Sequence, residues 1–160
     1  MKQLLVFAAI IVCLVMPALA IVPDEYDWTV VTMAPDGAWG SATEPSLGQA
    51  QAKAISNCKA MSGREIGCGA QSRAIKGGWI LATRCGDTNI VVADRRLTDA
   101  QEAARERERD LREHYARDLP PCRRVLTVNP RGHVQVFTKG GNHEQAMAGC
   151  RDYGPSVHRD

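Results

Sequence analysis

Polar and apolar positions along this chain alternate with the spacing of strands in some stretches and of helices in others. Residues 28–33 and 38–43 flank the tetrapeptide Ala-Pro-Asp-Gly at 34–37. Proline presets the φ angle of a turn and glycine accepts a positive φ, so this arrangement predicts a β-hairpin. A helix over 46–61 is predicted next, because apolar residues recur at helical spacing at Leu47, Ala50, Ala54, Cys58 and Met61.

Strand signals return after a break rich in glycine. Residues 68–75 are expected to be extended, Gly77-Gly78 to turn, and 79–84 to run back along the first stretch. The β-branched run at 90–93 follows a turn signal at 86–89 and predicts a further strand. Together these stretches predict strands in the middle of the chain, placed between two helices.

Capping signals mark the starts of both predicted helices. Ser46 is followed three residues later by Gln49, as in a capping box. The second helix is expected over about 98–117, with Thr98 or Asp99 as its N-cap, and a Pro-Pro pair then stops it. Both helices therefore have a predicted start in the sequence.

The second helix is the most charged part of the chain. Between 105 and 113 arginine alternates with glutamate or aspartate, which favours ion pairs between neighbouring turns and a solvated face. Its apolar stripe is narrow and interrupted at 107–108, and it comprises Ala100, Ala104, Leu111, Tyr115 and Leu119. A solvated surface is the preferred interpretation, and a partner-binding or self-associating helix is the alternative.

The end of the chain repeats the beginning. Residues 123–128 and 133–138 flank Asn-Pro-Arg-Gly at 129–132, which predicts a last hairpin, and a short helix is expected from Asn142 or His143 to about Cys150. A weaker middle copy starts at Trp79. Such repetition predicts units that bury their apolar faces against one another. The predicted fold is α+β, with repeated hairpin-plus-helix units forming an antiparallel sheet packed by helices and stabilised by disulfides.

The N-terminal segment 1–20 has the anatomy of a secretory signal peptide. Lys2 precedes an apolar run that is too short to span a membrane, and Ala18-Leu-Ala20 fits the cleavage rule. The mature chain is then a single domain over 21–153 with a loose tail at 154–160, secreted or periplasmic and without a stable membrane anchor. The whole chain has a net charge of +2, which does not predict nucleic acid as a partner.

Five cysteines remain after residue 20, so two disulfides and one leftover thiol are expected in an oxidising compartment. Cys58 and Cys68 are the best-supported pair, because one ends a predicted helix and the other opens the next strand. Cys85 with Cys122 is the second suggested pair, and Cys122 with Cys150 is an open alternative. A free Cys150 would allow a disulfide-linked dimer.

No catalytic, metal or cofactor site is predicted. The four histidines have no paired ligand spacing and there is no Cys-x-x-Cys. Ser41, Ser72, His133 and Asp94 supply the residue types of a hydrolytic site, but no Gly-x-Ser-x-Gly sequence supports it. The glycine-rich pieces are interpreted as turns and not as phosphate-binding loops.

One stretch resembles a known family. Gly37-Ala-Trp-Gly40, the pattern Ala50-x-Ala-x-Ala-x-x-x-Cys58 and the Cys68-Gly-Ala70 that follows resemble the secreted bacterial family catalogued as domain of unknown function 4189. The resemblance covers about residues 28–94. It implies export and a small α+β fold with a linking disulfide, and it brings no catalytic residues.

Recognition of another protein is the leading functional hypothesis. An exported, compact chain of nearly neutral charge and without catalytic motifs is expected to act as a protein-binding or inhibitor-like module, with an unknown partner in the envelope or outside the cell. Trp39 and Trp79 are the suggested contact surface, because tryptophan is enriched at binding hot spots. Core packing is the competing interpretation of both. The alternative function is a hydrolase acting on cell-envelope material.

Overall fold

The computed structural model describes residues 26–63 and 66–137. The predicted signal peptide at 1–20, the helix expected over 143–150, Cys150 and the tail at 154–160 lie outside these residues. The described chain contains, in order, β1 (Trp28–Met33), β2 (Trp39–Glu44), α1 (Leu47–Ser62), β3 (Gln71–Lys76), β4 (Trp79–Cys85), β5 (Thr88–Asp94), α2 (Leu97–His114), β6 (Cys122–Val128) and β7 (Val134–Val136).

The strands form two antiparallel sheets, where the sequence predicted one. The first sheet has the order β2-β1-β3 and the second the order β5-β4-β6-β7. The α+β class, the antiparallel pairing and the disulfides are as predicted. The number of sheets differs because β3 and β4 belong to different sheets.

The expectation that β4 runs back along β3 through Gly77-Gly78 is wrong. β3 pairs instead with β1, with Met33 opposite Gln71 and Trp28 opposite Lys76. The Thr32 hydroxyl holds the start of β3 in place, because it accepts a hydrogen bond from the Gly69 amide at 2.8 Å and donates one to the Gln71 carbonyl at 3.2 Å. Gly77-Gly78 is therefore a crossing from one sheet to the other.

The alternation of side chains on the strands produces four layers. Val31 and Met33 of β1 face the second sheet and pack with Ile80, Leu126 and other buried residues of that sheet. The opposite face of β1 packs against α1, and β5 and β4 pack against α2. The order of layers is thus α1, first sheet, second sheet and α2, with the main core between the sheets.

The outer clusters are smaller. Val30 packs with Ala50 and Ala54 under α1, where the small alanine side chains allow the helix to lie close to the sheet. On the other side, Cys85, Ile90 and the post-helical Leu119 form a cluster beside α2. Each helix therefore covers one sheet with a limited apolar face.

The two Pro-Gly hairpins have the same turn geometry. In the first, the Ala34 amide bonds to the Ala38 carbonyl and the Gly37 amide to the Ala34 carbonyl; in the last, Asn129, Gly132 and His133 make the equivalent bonds. Gly37 has a φ of 92° and Gly132 a φ of 80°, which glycine adopts without steric cost. Both predicted hairpins are present, and the wider threefold repeat stays a prediction.

Helix α1 closely matches its predicted range. The Ser46 side chain accepts a hydrogen bond from the Gln49 amide, as the capping box predicts, and Gly63 ends the helix with a φ of 65°. The observed helix begins and ends one residue later than expected. Local sequence signals were sufficient here because the cap, the apolar spacing and the terminating glycine are all short-range.

Helix α2 begins and ends earlier than expected. Arg96, and neither Thr98 nor Asp99, is its N-cap, and the cap has no side-chain hydrogen bond. The Asp99 carboxylate instead accepts a hydrogen bond from Arg96 Nε at 2.7 Å, which lowers the pKa of Asp99 below its usual value. At the other end α2 stops at His114, and Arg112 donates hydrogen bonds to the carbonyls of Leu119 and Pro120.

Both suggested disulfides are present. Cys58 joins Cys68, with 5.8 Å between their Cα atoms, and Cys85 joins Cys122. The alternative pairing of Cys122 with Cys150 is thereby excluded, because Cys122 is occupied. Cys85 and Cys122 lie directly opposite each other on β4 and β6, so the second bond links neighbouring strands.

Candidate functional site

A groove lies between β3, β5 and α2 in the described structure. Its volume is about 670 Å³. Gln71 and Arg73 of β3 form one wall, and Ala103, Arg107 and neighbouring residues of α2 form the other. Residues 88–92 of β5 form the floor. The groove therefore follows the length of one strand and is open to solvent on the side away from it.

The floor of the groove is mainly the backbone of β5. Asn89, Ile90 and Val91 all line the groove, yet they are only 7%, 3% and 7% exposed. Side chains of consecutive strand residues point to opposite faces, so five consecutive residues can line one groove only through their shared edge. Among the described residues, β5 pairs with β4 on one side and with no strand on the other.

The turn before β5 determines which backbone groups face the groove. Gly86 and Asp87 form a two-residue hairpin loop, and Cys85 and Thr88 are the last paired residues. In such a hairpin the flanking pair exchanges both backbone hydrogen bonds, and the pattern then alternates along the strands. The N–H and C=O groups of Asn89 and Val91 consequently point away from β4 and towards the groove.

The two walls carry different charges. On α2, Arg107 forms an ion pair with Asp110, and Glu106 adds a negative charge. On β3, the exposed Arg73 donates a hydrogen bond to the carbonyl of Ser72 at 2.9 Å and makes no ion pair with any described residue. The β3 wall is therefore the positive side of the groove.

A polar cluster holds the end of the groove at Asn89. Arg84, whose side chain is 12% exposed, donates hydrogen bonds to Asn89 Oδ1 at 2.8 Å and to the Pro35 carbonyl at 3.1 Å. Asn89 Nδ2 in turn donates to the Ala34 carbonyl at 2.8 Å. The first hairpin turn is thus fastened to the start of β5. Sequence reasoning missed this cluster, since nothing local relates Arg84 to a turn about 50 residues earlier.

We expect Arg84→Met to lower the free energy of unfolding by about 2 kcal/mol, because it leaves the side-chain oxygen of the buried Asn89 without its donor and also removes the hydrogen bond to the exposed Pro35 carbonyl. Urea denaturation of the oxidised protein measures the change. Arg131→Met is the control, because Arg131 is exposed in a turn on the opposite hairpin. Equal stability of the two variants would contradict a structural role for the cluster.

The two tryptophans suggested as a contact surface do not line this groove. Trp39 is half-buried and packs against the core between the sheets, and its backbone amide lies 3.5 Å from Met61 Sδ. Trp79 is half-buried at the start of β4. Trp39 therefore lies at the border of the core.

The residue types of a hydrolytic site are spread over separate elements. Ser41 lies on β2, Ser72 on β3, Asp94 at the end of β5 and His133 in the last hairpin. Within residues 26–63 and 66–137, no hydrogen bond joins any two of them, and no group of three or more potential metal ligands occurs.

Comparison with known proteins adds no relative: no family model, curated protein or solved structure matches the chain. The resemblance to domain of unknown function 4189 therefore stays a prediction. In the described part of the chain, no helix is long and apolar enough to cross a membrane. Two disulfides are typical of proteins that fold in an oxidising compartment.

Proposed function

We propose that this protein is an exported, non-enzymatic protein-binding module that holds its partner in the groove between β3, β5 and α2. One observation carries the proposal: the groove runs along the edge of β5 that pairs with no described strand, although residues 89–91 of this strand are largely buried. Unpaired strand edges form hydrogen bonds with other chains readily, and proteins usually shorten, charge or cover them. The predicted secretory signal at 1–20 and the two disulfides support action outside the cytoplasm.

The other strand edges in the described structure are protected by a covering side chain, by short length or by polar residues. Asn57 of α1 donates a hydrogen bond to the Ser41 carbonyl at 2.9 Å on β2. β7 has only three residues, and β3 exposes the polar residues Gln71 and Arg73. β5, with seven residues, is the longest strand at a sheet edge and has an apolar sequence, so it is the most suitable edge for a partner.

Replacement of Ala103 with tryptophan tests the proposal, because it fills the groove from the α2 wall. The chain, expressed from its full sequence and purified in the oxidised form, is immobilised and exposed to envelope and culture-medium fractions. We expect one saturable partner that binds the unmodified protein and is lost with Ala103→Trp. The reason is steric: the indole occupies the space between α2 and β5.

Ala52→Trp is the matched control, since Ala52 is an exposed alanine on α1, on the other side of the fold. It should bind like the unmodified protein. Binding that survives Ala103→Trp would place the partner elsewhere, and no saturable partner in either fraction would contradict the binding function itself.

A further inference from the structure

We propose that the groove binds an extended peptide segment of the partner protein, which joins the second sheet as a strand beside β5 and places an acidic side chain against Arg73. This inference rests on the proposed function and specifies the chemistry of the partner. Its first basis is the edge itself. Outward-facing N–H and C=O groups at Asn89 and Val91 match the alternating donors and acceptors of an extended chain.

The position of the β5 edge at the bottom of the groove favours a single extended segment over a second copy of this protein. β5 lies on the floor of the groove, with β3 on one side and α2 on the other. A second copy of this protein would present its own β5 at the same depth, so two such edges cannot meet without the walls colliding. A single extended segment is narrow enough to enter. Five floor residues span about 17 Å, the length of a typical strand.

The walls predict an alternating sequence for the bound segment. Successive side chains of an added strand point in opposite directions, one set towards β3 and the other towards α2. An acidic side chain fits the β3 wall, because the Arg73 guanidinium there has no ion pair with a described residue. The α2 wall carries Glu106 and the already paired Asp110, so acidic side chains are disfavoured on that face.

Small apolar side chains suit the α2 wall. Ala103 and Leu111 of α2 line the groove and present apolar surface to the space above β5. Residues of the segment that face Ala103 and Leu111 are therefore expected to be small and apolar. They should lie an even number of positions from one another and an odd number of positions from the acidic residue. This period of two is a property of a strand and not of a helical ligand.

The test begins with selection from a library of randomised nine-residue peptides on the immobilised, oxidised full-length protein. Peptides that also bind the Ala103→Trp protein are removed from the library. We expect enriched peptides with one acidic position and small apolar residues at odd spacing from it. In their presence, amide hydrogen exchange should slow at Asn89 and Val91. The amides of Ile90 and Val92 are internal controls, because they already bond to β4.

Charge variants supply the second measurement. Arg73→Gln should weaken binding of the selected peptide about tenfold, because a charge-assisted contact is lost, and Arg73→Lys should recover part of it. Arg131→Gln, at an exposed arginine in the last hairpin, should change the affinity less than about twofold.

Failure of strand addition and failure of the proposed function give different results. Two results would overturn strand addition while Ala103→Trp still abolishes capture of the natural partner. Either no peptide is enriched, or the enriched peptides leave the amides of Asn89 and Val91 unprotected from exchange. In both cases the groove binds a protein in another way. If the protein dimerises through protection of the same two amides, a second copy is the occupant and the inference is overturned. If capture of the natural partner is insensitive to Ala103→Trp, the partner binds elsewhere, and the groove fails as the binding site together with strand addition.

Discussion

Gly40→Ala is expected to lower the free energy of unfolding by more than about 3 kcal/mol. A Cβ atom at Gly40 would lie 2.1 Å from the carbonyl oxygen of Ala54 and 2.4 Å from the amide nitrogen of Cys58. Both atoms belong to the backbone of α1, which cannot turn aside as a flexible side chain would. Overpacking of a rigid contact commonly costs 1–3 kcal/mol, and a contact between two backbones is at the upper end or above it.

The consequence extends beyond one contact. To accommodate the methyl group, α1 would have to move away from the first sheet, and this movement would separate Ala50 and Ala54 from Val30 in the cluster beneath the helix. Cys58, which is fully buried and bonded to Cys68, would have to move as well. Urea denaturation monitored by circular dichroism measures the total effect.

Gly48→Ala is the matched control for this experiment. Gly48 lies near the start of α1 and has no heavy atom within 4 Å of an added Cβ. Alanine is the better helix former, so this variant should be as stable as the unmodified protein or up to about 1 kcal/mol more stable. If Gly40→Ala unfolds at the same urea concentration as Gly48→Ala, the close approach of α1 to β2 is contradicted.

Removal of the disulfide between β4 and β6 is expected to have the largest effect among the covalent links. Cys85 and Cys122 are 37 residues apart, and the bond closes a loop that contains all of β5 and α2. In the chain-entropy treatment a closed loop of this length stabilises the folded state by about 4 kcal/mol. The Cys85→Ser and Cys122→Ser double variant should lower the free energy of unfolding by about that amount. A serine hydroxyl is buried at position 85 in this variant and at position 58 in the comparison variant, so that cost is common to both.

The Cys58→Ser and Cys68→Ser double variant provides the comparison. These cysteines are 10 residues apart, and the same treatment gives about 3 kcal/mol for the shorter loop. Urea denaturation of both double variants under oxidising conditions measures the difference, with each retaining the other disulfide. A larger loss from the Cys58 and Cys68 pair would contradict the order derived from loop length.

The elements that the sequence predicted well depend on neighbours along the chain. The hairpin at 34–37 follows from one proline and one glycine, and α1 follows from Ser46, Gln49 and an apolar spacing of three and four. The disulfide between Cys58 and Cys68 was also predictable from nearby residues, because the two cysteines lie at the ends of a short connection. The start of α2 was misplaced because a carboxylate at the predicted cap formed an ion pair with Arg96 instead.

The candidate site was not predictable by such signals. Trp39 and Trp79 were suggested as contact residues from their type alone, whereas the groove is formed by backbone groups and by residues of ordinary type on three separate elements. An exposed strand edge has no signature in composition. The fastening of Ala34 and Pro35 by Arg84 and Asn89 likewise depends on groups about 50 residues apart.

The sequence by itself determined the class of the fold, the two Pro-Gly hairpin turns, the approximate positions of α1 and α2 and the local disulfide, because these depend on the intrinsic conformational preferences of adjacent residues. The tertiary structure decided that β3 pairs with β1, that two sheets pack face to face, and that β5 is left with an open edge between β3 and α2. Those results depend on which apolar faces, distant in sequence, bury each other most completely. This is determined by the packing of the whole chain and not by neighbouring residues.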